Sequence, residues 1–223
     1  RIYLFSPSPN KSTQKSEFVK SCNLIIDSTT GSVKSMKTNK YEWIDDHFFP
    51  GINSVLYVPG LDPEKFSTTH FEKNETIESG AVLIRHEIIC TSEGSNGVKY
   101  IITQFNGLNM LLLSAVIDKK PIREKESVHI AFPFALKNVT TRIGIDDTLI
   151  TPENGQLSAA NKDFYSVQRW IDISEASRGV TISSPQCALF EAGRMIDERR
   201  SNHGEKLWKT DNSSSPLIFA YVM

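Results

Sequence analysis

Val82-Leu-Ile-Arg-His-Glu-Ile-Ile-Cys90, Val98-Lys-Tyr-Ile-Ile-Thr-Gln-Phe105 and Met110-Leu-Leu-Leu-Ser-Ala-Val-Ile117 follow one another at intervals of only a few residues. Each run is rich in β-branched and aromatic residues, and each is too short to bury a helical face. Between them stand Glu93-Gly94-Ser95-Asn96-Gly97 and Asn106-Gly107-Leu108-Asn109, the residue types that tight turns require. Tyr100, Ile102 and Gln104 alternate with Ile101, Thr103 and Phe105, whereas Met110 to Leu113 is apolar on both faces. That second pattern predicts a central strand covered on both sides.

The same punctuation extends toward the C-terminus. Further runs lie at Val128 to Phe134, Thr141 to Ile145, Arg169 to Ile173, Val180 to Ser183 and Leu217 to Met223, with Ser177-Arg178-Gly179 as another turn. No amphipathic helix longer than two turns stands out, so the sequence predicts an all-β chain of two stacked antiparallel sheets. In Phe132-Pro133-Phe134 the proline belongs at an edge or bulge, and its aromatic neighbours predict a buried corner where the chain passes between sheets. Residues 1–20, rich in Ser, Lys and Pro, read as a linker or the tail of a preceding region, and residues 21–223 as one β domain cut short at its C-terminal end. Glu191 to Ser215 turns polar and reads as a long surface excursion, with Glu198 to Ser201 exposed.

The bulk composition excludes several functions. With 223 residues, 39% hydrophobic and 23% charged, the chain has material for a sizeable core. Lys plus Arg (25) nearly balances Asp plus Glu (26), so no net field draws it to nucleic acid or anionic lipid. No stretch approaches the ~18 apolar residues of a membrane span. Three separated cysteines, Cys22, Cys90 and Cys187, form neither a disulfide framework nor a metal knuckle. Four sequons, at Asn10, Asn74, Asn138 and Asn212, would accept glycans in a secretory protein.

Four stretches in order carry a family resemblance. They are Asp27-Ser-Thr-Thr-Gly31-Ser-Val33-Lys-Ser-Met36 with Glu42-Trp43-Ile-Asp45; Asn53-Ser-Val-Leu-Tyr57-Val-Pro-Gly60; Asp118 to Phe134, ending in Phe132-Pro133-Phe134; and Asp163-Phe164-Tyr165-Ser-Val167-Gln168-Arg169-Trp170-Ile-Asp172-Ile-Ser, followed by Gly179-Val180-Thr181. Together they resemble the C-terminal β domain of glycoside hydrolase family 38, the zinc-dependent α-mannosidases. The resemblance implies a galactose-mutarotase-like supersandwich. It also implies a partner, an N-terminal catalytic barrel of the same parent chain, which would hold the zinc and the nucleophile acting on an α-mannoside carbohydrate.

None of that catalytic machinery is legible here. His47, His70, His86, His129 and His203 are scattered singly, with no His-X-Asp triplet and no partners at zinc spacing. A retaining glycosidase needs two carboxyls about 5 Å apart. Asp45-Asp46 and Asp146-Asp147 are adjacent pairs, which belong to turns or strand ends. No catalytic residue and no metal ligand is therefore expected in this chain, and the fragment alone is expected not to act as an enzyme.

Aromatics beside Asp, Gln and Arg can stack on and orient a sugar. If any segment lines a carbohydrate site, it is Asp163, Tyr165, Gln168, Arg169 and Trp170. The simpler reading of that segment is core packing, with Trp170 buried. The expected role is a non-catalytic scaffold for the barrel that contributes to the cleft. The alternatives are a free-standing carbohydrate-binding module and a sugar mutarotase, the latter needing His129 or His86 beside a carboxylate.

Overall fold

The computed structural model describes residues 2–5, 22–38, 40–152, 155–157, 160–197 and 214–223. Among them, seventeen strands run in chain order: β1 (Ile2–Phe5), β2 (Asn23–Ile26), β3 (Val33–Lys37), β4 (Ser54–Pro59), β5 (Ser67–Thr68), β6 (His70–Ser79), β7 (Leu83–Thr91), β8 (Ser95–Phe105), β9 (Met110–Lys119), β10 (Glu126–Pro133), β11 (Thr140–Ile145), β12 (Thr148–Ile150), β13 (Tyr165–Ser166), β14 (Trp170–Ser174), β15 (Gly179–Ser183), β16 (Leu189–Ala192) and β17 (Leu217–Tyr221). A single 3-10 turn, Pro63–Lys65, is the one helical element among the described residues, and none is long and apolar enough to cross a membrane.

Nine strands pair in the order β12-β11-β14-β15-β1-β9-β8-β7-β6 and six in the order β13-β16-β17-β10-β4-β5, with β2 and β3 forming a separate hairpin. The pairings between named strands are antiparallel. The fold is therefore all-β, as the punctuation of the sequence predicts. Ile2–Phe5, at the head of the segment read as a linker, pairs with β15 on one side and β9 on the other.

Alternation dictates which side chains meet. Val55 and Tyr57 of β4 and Val128, Ile130 and Phe132 of β10 share one buried cluster with Ile88, Tyr100 and Ile102 of the large sheet. The two sheets therefore pack face to face around a common core. A buried hydroxyl links them: the Val55 backbone N–H donates to Tyr100 Oη at 3.1 Å, and Thr69 Oγ1 lies 3.1 Å from the same oxygen. Strand β9 is interior to its sheet, but only its core-facing Leu111 and Leu113 are buried. Leu112 is half-exposed, so one face of this strand is covered less than the apolar run predicts.

The proline corner behaves in part as expected. Phe132 and Phe134 are buried, and the chain leaves the six-stranded sheet after Phe134 to enter the large one at β11. Strand β10 is interior, however, flanked by β4 and β17. Pro133 fits because it is the last residue of β10, past the end of the β4 ladder at Ala131, where the bonds to its neighbours are carried by the Phe134 N–H to Pro216 O and by its own carbonyl, which accepts the Asp45 N–H at 3.2 Å.

Gly94 and Gly107 take the left-handed conformations their turns need (φ 71° and 84°), whereas Gly179 begins a strand opposite Ser174. Strand β6 was not legible, because His70 to Ser79 has no apolar alternation. It is an exposed edge strand bearing Glu72, Lys73, Glu75 and Glu78, charges that discourage edge-to-edge association. Asn74 on this strand and Asn138 after β10 are exposed. Glu198 to Ser201, Asn10, Asn212, His203 and Trp208 lie outside the described residues.

Candidate functional site

The five residues expected to line a sugar site do not converge. Tyr165 sits in β13, at the edge of the six-stranded sheet, while Trp170 opens β14 in the large sheet. The crossover takes three residues, Val167 to Arg169: the Val167 N–H donates to Ala188 O in the first sheet's neighbourhood, and the Gln168 and Arg169 N–H groups to Gly144 O in the second. Asp163 is buried and lies 3.9 Å from Arg194 Nη2, and Tyr165 is buried. Gln168 Oε1 accepts from the Asp146 N–H, and exposed Arg169 approaches Asp147 at 3.9 Å. Asp146-Asp147 is the two-residue turn between β11 and β12, as its composition predicts.

Trp170 corrects the expectation of a core residue. Ile171 and Ile173 point inward and are fully buried, which turns Trp170 to the outer face, half-exposed over Gly144. An added Cβ on Gly144 would meet the indole at 2.8 Å, so this glycine makes the seat for the ring.

The structure instead assembles a polar site on the outer face of the six-stranded sheet. Val128, Ile130 and Phe132 of β10 point into the core, so period-2 alternation sends Ser127, His129 and Ala131 to the other face. Strand β16 likewise buries Phe190 and Ala192 inward and presents Glu191 outward. Between them runs β17, with Tyr221 opposite His129 and Phe219 opposite Glu191. His129 reaches across this strand between the two rings, edge-on to Tyr221 at 5.0 Å and to Phe219 at 6.4 Å. Phe164 continues the row, edge-on to Tyr221 at 5.3 Å.

The contacts define a chain of three groups. Glu191 Oε2 lies 2.8 Å from His129 Nδ1, and His129 Nε2 lies 2.9 Å from Ser127 Oγ. The other carboxylate oxygen, Oε1, accepts the Ile196 N–H at 2.7 Å. His129 and Glu191 are buried (1% and 0% side-chain exposure), while Ser127 is half-buried. A neutral imidazole that donates from Nδ1 to the Glu191 carboxylate has its lone pair on Nε2. Nε2 then accepts from the Ser127 hydroxyl.

Ser127 lines a cavity of about 200 Å³ with Val58, Gly60, Leu61, Lys125, Glu126 and Ile196. A second, more apolar cavity of about 320 Å³ lies farther along the same face, lined by Phe49, Phe66, Met195 and Phe219 among others.

Sequence reasoning missed this site for two reasons. His129 is separated from Glu191 by 62 positions, and Glu191 falls where the polar excursion was read to begin. The excursion instead starts after Ala192, because Leu189 to Ala192 is strand β16. A glutamate enclosed by Phe190 and Ala192 at the end of an apolar run was the available signal.

His86 is half-buried on β7 with Thr76 Oγ1 3.2 Å from Nδ1, and burial lowers its pKa. Cys22, Cys90 and Cys187 are free, and burial pushes the Cys22 thiol up to about 12 and the Cys90 thiol to about 11. Cys90 is a small core group, whereas Cys187 is only half-buried at the core margin. Among the described residues no three His, Cys, Asp or Glu side chains cluster to hold a metal. No protein-family model matches this chain, and no curated protein matches it.

Proposed function

We propose that this chain is a β domain of an α-mannosidase-like glycoside hydrolase that takes no part in glycoside cleavage, a galactose-mutarotase-like supersandwich that packs against a catalytic barrel and supports its carbohydrate cleft. The observation that supports it most is that the four sequence stretches carrying the family resemblance meet in space. Val33 of the first bridges Ile52 beside the second, and Ile44 of the first bridges Phe134 of the third. The second and third pair along β4 and β10 from Pro59–Glu126 to Ser54–Ala131. The fourth joins them in the common buried core, where Tyr165, Val167, Ile171 and Val180 share one cluster with Val33, Ile44, Tyr57 and Phe132. Segments so placed constrain one another's register, which gives their shared order a physical reason.

The mutarotase reading needs a histidine and a carboxylate that can both reach a sugar. His129 and Glu191 do meet, but they are buried and bonded to each other, so a sugar ring has no access between them. This favours the scaffold reading. The test is an aryl α-mannoside assay with metal analysis on the 223-residue chain and on the chain extended through its upstream coding region. Turnover and stoichiometric zinc are expected with the extended protein only. Turnover by the 223-residue chain, resistant to chelation and abolished by replacing one of its carboxylates, overturns the proposal.

A further inference from the structure

We propose that Ser127, His129 and Glu191 form an acyl-transfer site for esters of short carboxylic acids, opening at Ser127 into the 200 Å³ cavity. This inference stands apart from the scaffold reading, since it rests on the outer face of the six-stranded sheet alone.

The order of atoms is the one nucleophilic catalysis needs. The hydroxyl oxygen Ser127 Oγ is 2.9 Å from His129 Nε2, the opposite ring nitrogen is 2.8 Å from Glu191 Oε2, and Oε1 is fixed by the Ile196 N–H. Burial increases along the chain from half-buried Ser127 to His129 and Glu191, so the nucleophile alone meets the cavity and the relay behind it is shielded from water. A histidine serving only to fill the core would need one partner for its Nδ1 proton. Here the second nitrogen also holds a hydroxyl, at the one member of the chain that faces open space.

The chemistry balances as follows. Ser127 Oγ forms a bond to the ester carbonyl carbon while its proton moves to His129 Nε2. The tetrahedral adduct breaks its bond to the alkoxy oxygen, which takes that proton and leaves as the alcohol. Water then gives a proton to Nε2 and adds to the acyl carbon, the Ser127 ester bond breaks as Oγ takes that proton back from Nε2, and the carboxylic acid departs with the serine and the neutral imidazole restored. In this proposal the oxyanion is met by Lys125, which lines the same cavity, while Glu126, also in the lining, is paired with Lys119 Nζ at 2.6 Å. A volume of about 200 Å³ suits an acetyl or similarly short acyl group. Glu191 touches no substrate and is a positioning residue.

The first test uses the unmodified 223-residue chain, incubated with an alkyl fluorophosphonate and digested for mass spectrometry. An adduct on the peptide containing Ser127 is expected, and a folded protein carrying no adduct there overturns the proposal. The second follows p-nitrophenyl acetate hydrolysis. Ser127→Ala should remove the turnover of the parent chain, and equal turnover by the variant refutes the assignment. For Glu191→Gln, the Ile196 N–H claims the amide oxygen and turns the amide NH2 toward His129. That imposes the tautomer with the proton on Nε2, which can no longer accept from Ser127. The expected loss is about 100-fold, in kcat and not in KM, with an unchanged near-UV spectrum. Unchanged kcat in this variant removes Glu191 from the mechanism.

Discussion

Replacing Tyr100 by Phe isolates the hydrogen bond that joins the two sheets. The Tyr100 side chain is 1% exposed, and its hydroxyl accepts from the Val55 N–H at 3.1 Å, with Thr69 Oγ1 also 3.1 Å away. Phenylalanine keeps the ring and nearly all of its volume, so the hydrophobic contribution is preserved and no sizeable cavity opens. Thr69 keeps a partner, because its Oγ1 donates to Thr30 O at 2.6 Å. What is lost is the acceptor for the Val55 N–H, on a residue only 1% exposed. A buried donor left unsatisfied costs about 1–3 kcal/mol, more than the net worth of an average hydrogen bond. Urea unfolding followed by tryptophan fluorescence should therefore show a midpoint shift of that size with an unchanged slope. Amide exchange at Val55 should accelerate in the variant. A stability change below about 0.5 kcal/mol, within the range of an ordinary surface substitution, would refute the claim that this hydroxyl bridges the sheets.

Gly94 and Gly107, both at positive φ in turns, should respond differently to alanine. At Gly107 nothing lies within 4 Å of an added Cβ, so Gly107→Ala should cost about 1–2 kcal/mol for conformation alone. At Gly94 the Cβ would fall 2.3 Å from the Tyr57 ring, so Gly94→Ala should cost clearly more, and equal thermal shifts would contradict this. Trp170→Ala, on the half-exposed outer face, should lose less than the ~3–5 kcal/mol of a fully buried aromatic, and urea titration distinguishes the two. For Glu42, burial raises the pKa, but hydrogen bonds from Ser35 and from the Met36, Ile44 and Trp43 amides outweigh it and leave the carboxyl below its usual 4.5. Asp27 behaves alike: burial opposes, and the Thr30 and Thr29 amides and Lys34 prevail. A depressed carboxylate contributes stability above its unfolded pKa that is lost as pH falls through the folded one. Melting temperature should therefore drop below about pH 4.5, less steeply in Glu42→Gln, and parallel profiles would count against these bonds. Native Cys22 and Cys90 should resist iodoacetamide at neutral pH, since burial suppresses both thiolates, and rapid alkylation of either would show that its environment is misassigned.

Much of the fold was legible because strands advertise themselves locally. The eight runs read from the sequence coincide with β7, β8, β9, β10, β11, β14, β15 and β17 to within a few residues. Turn chemistry at Gly94, Gly107 and Asp146-Asp147 was likewise visible, because positive φ and two-residue loops restrict residue type. Strand β6 was hidden because an edge strand facing water on both sides has no hydrophobic period to read. Trp170 was misplaced because its strand's phase could have gone either way. Ile171 and Ile173 won the inner face, and Gly144 supplied an outer seat for the indole.

By itself the sequence determined the class of structure, all-β and antiparallel, through hydrophobic spacing and turn residues that act over a few positions. It also determined which side chains could serve chemistry, without deciding which would meet. Only the tertiary structure put Tyr165 on the six-stranded sheet and Trp170 on the large one, with Gln168 and Arg169 in the crossover between them. It also carried Glu191 across β17 to His129, 62 positions away, with Ser127 behind it. The reason is physical. Side-chain alternation is a property of each strand alone, but the order and register in which strands pair are set by how the two faces bury one common core, and that choice is made by the whole chain at once.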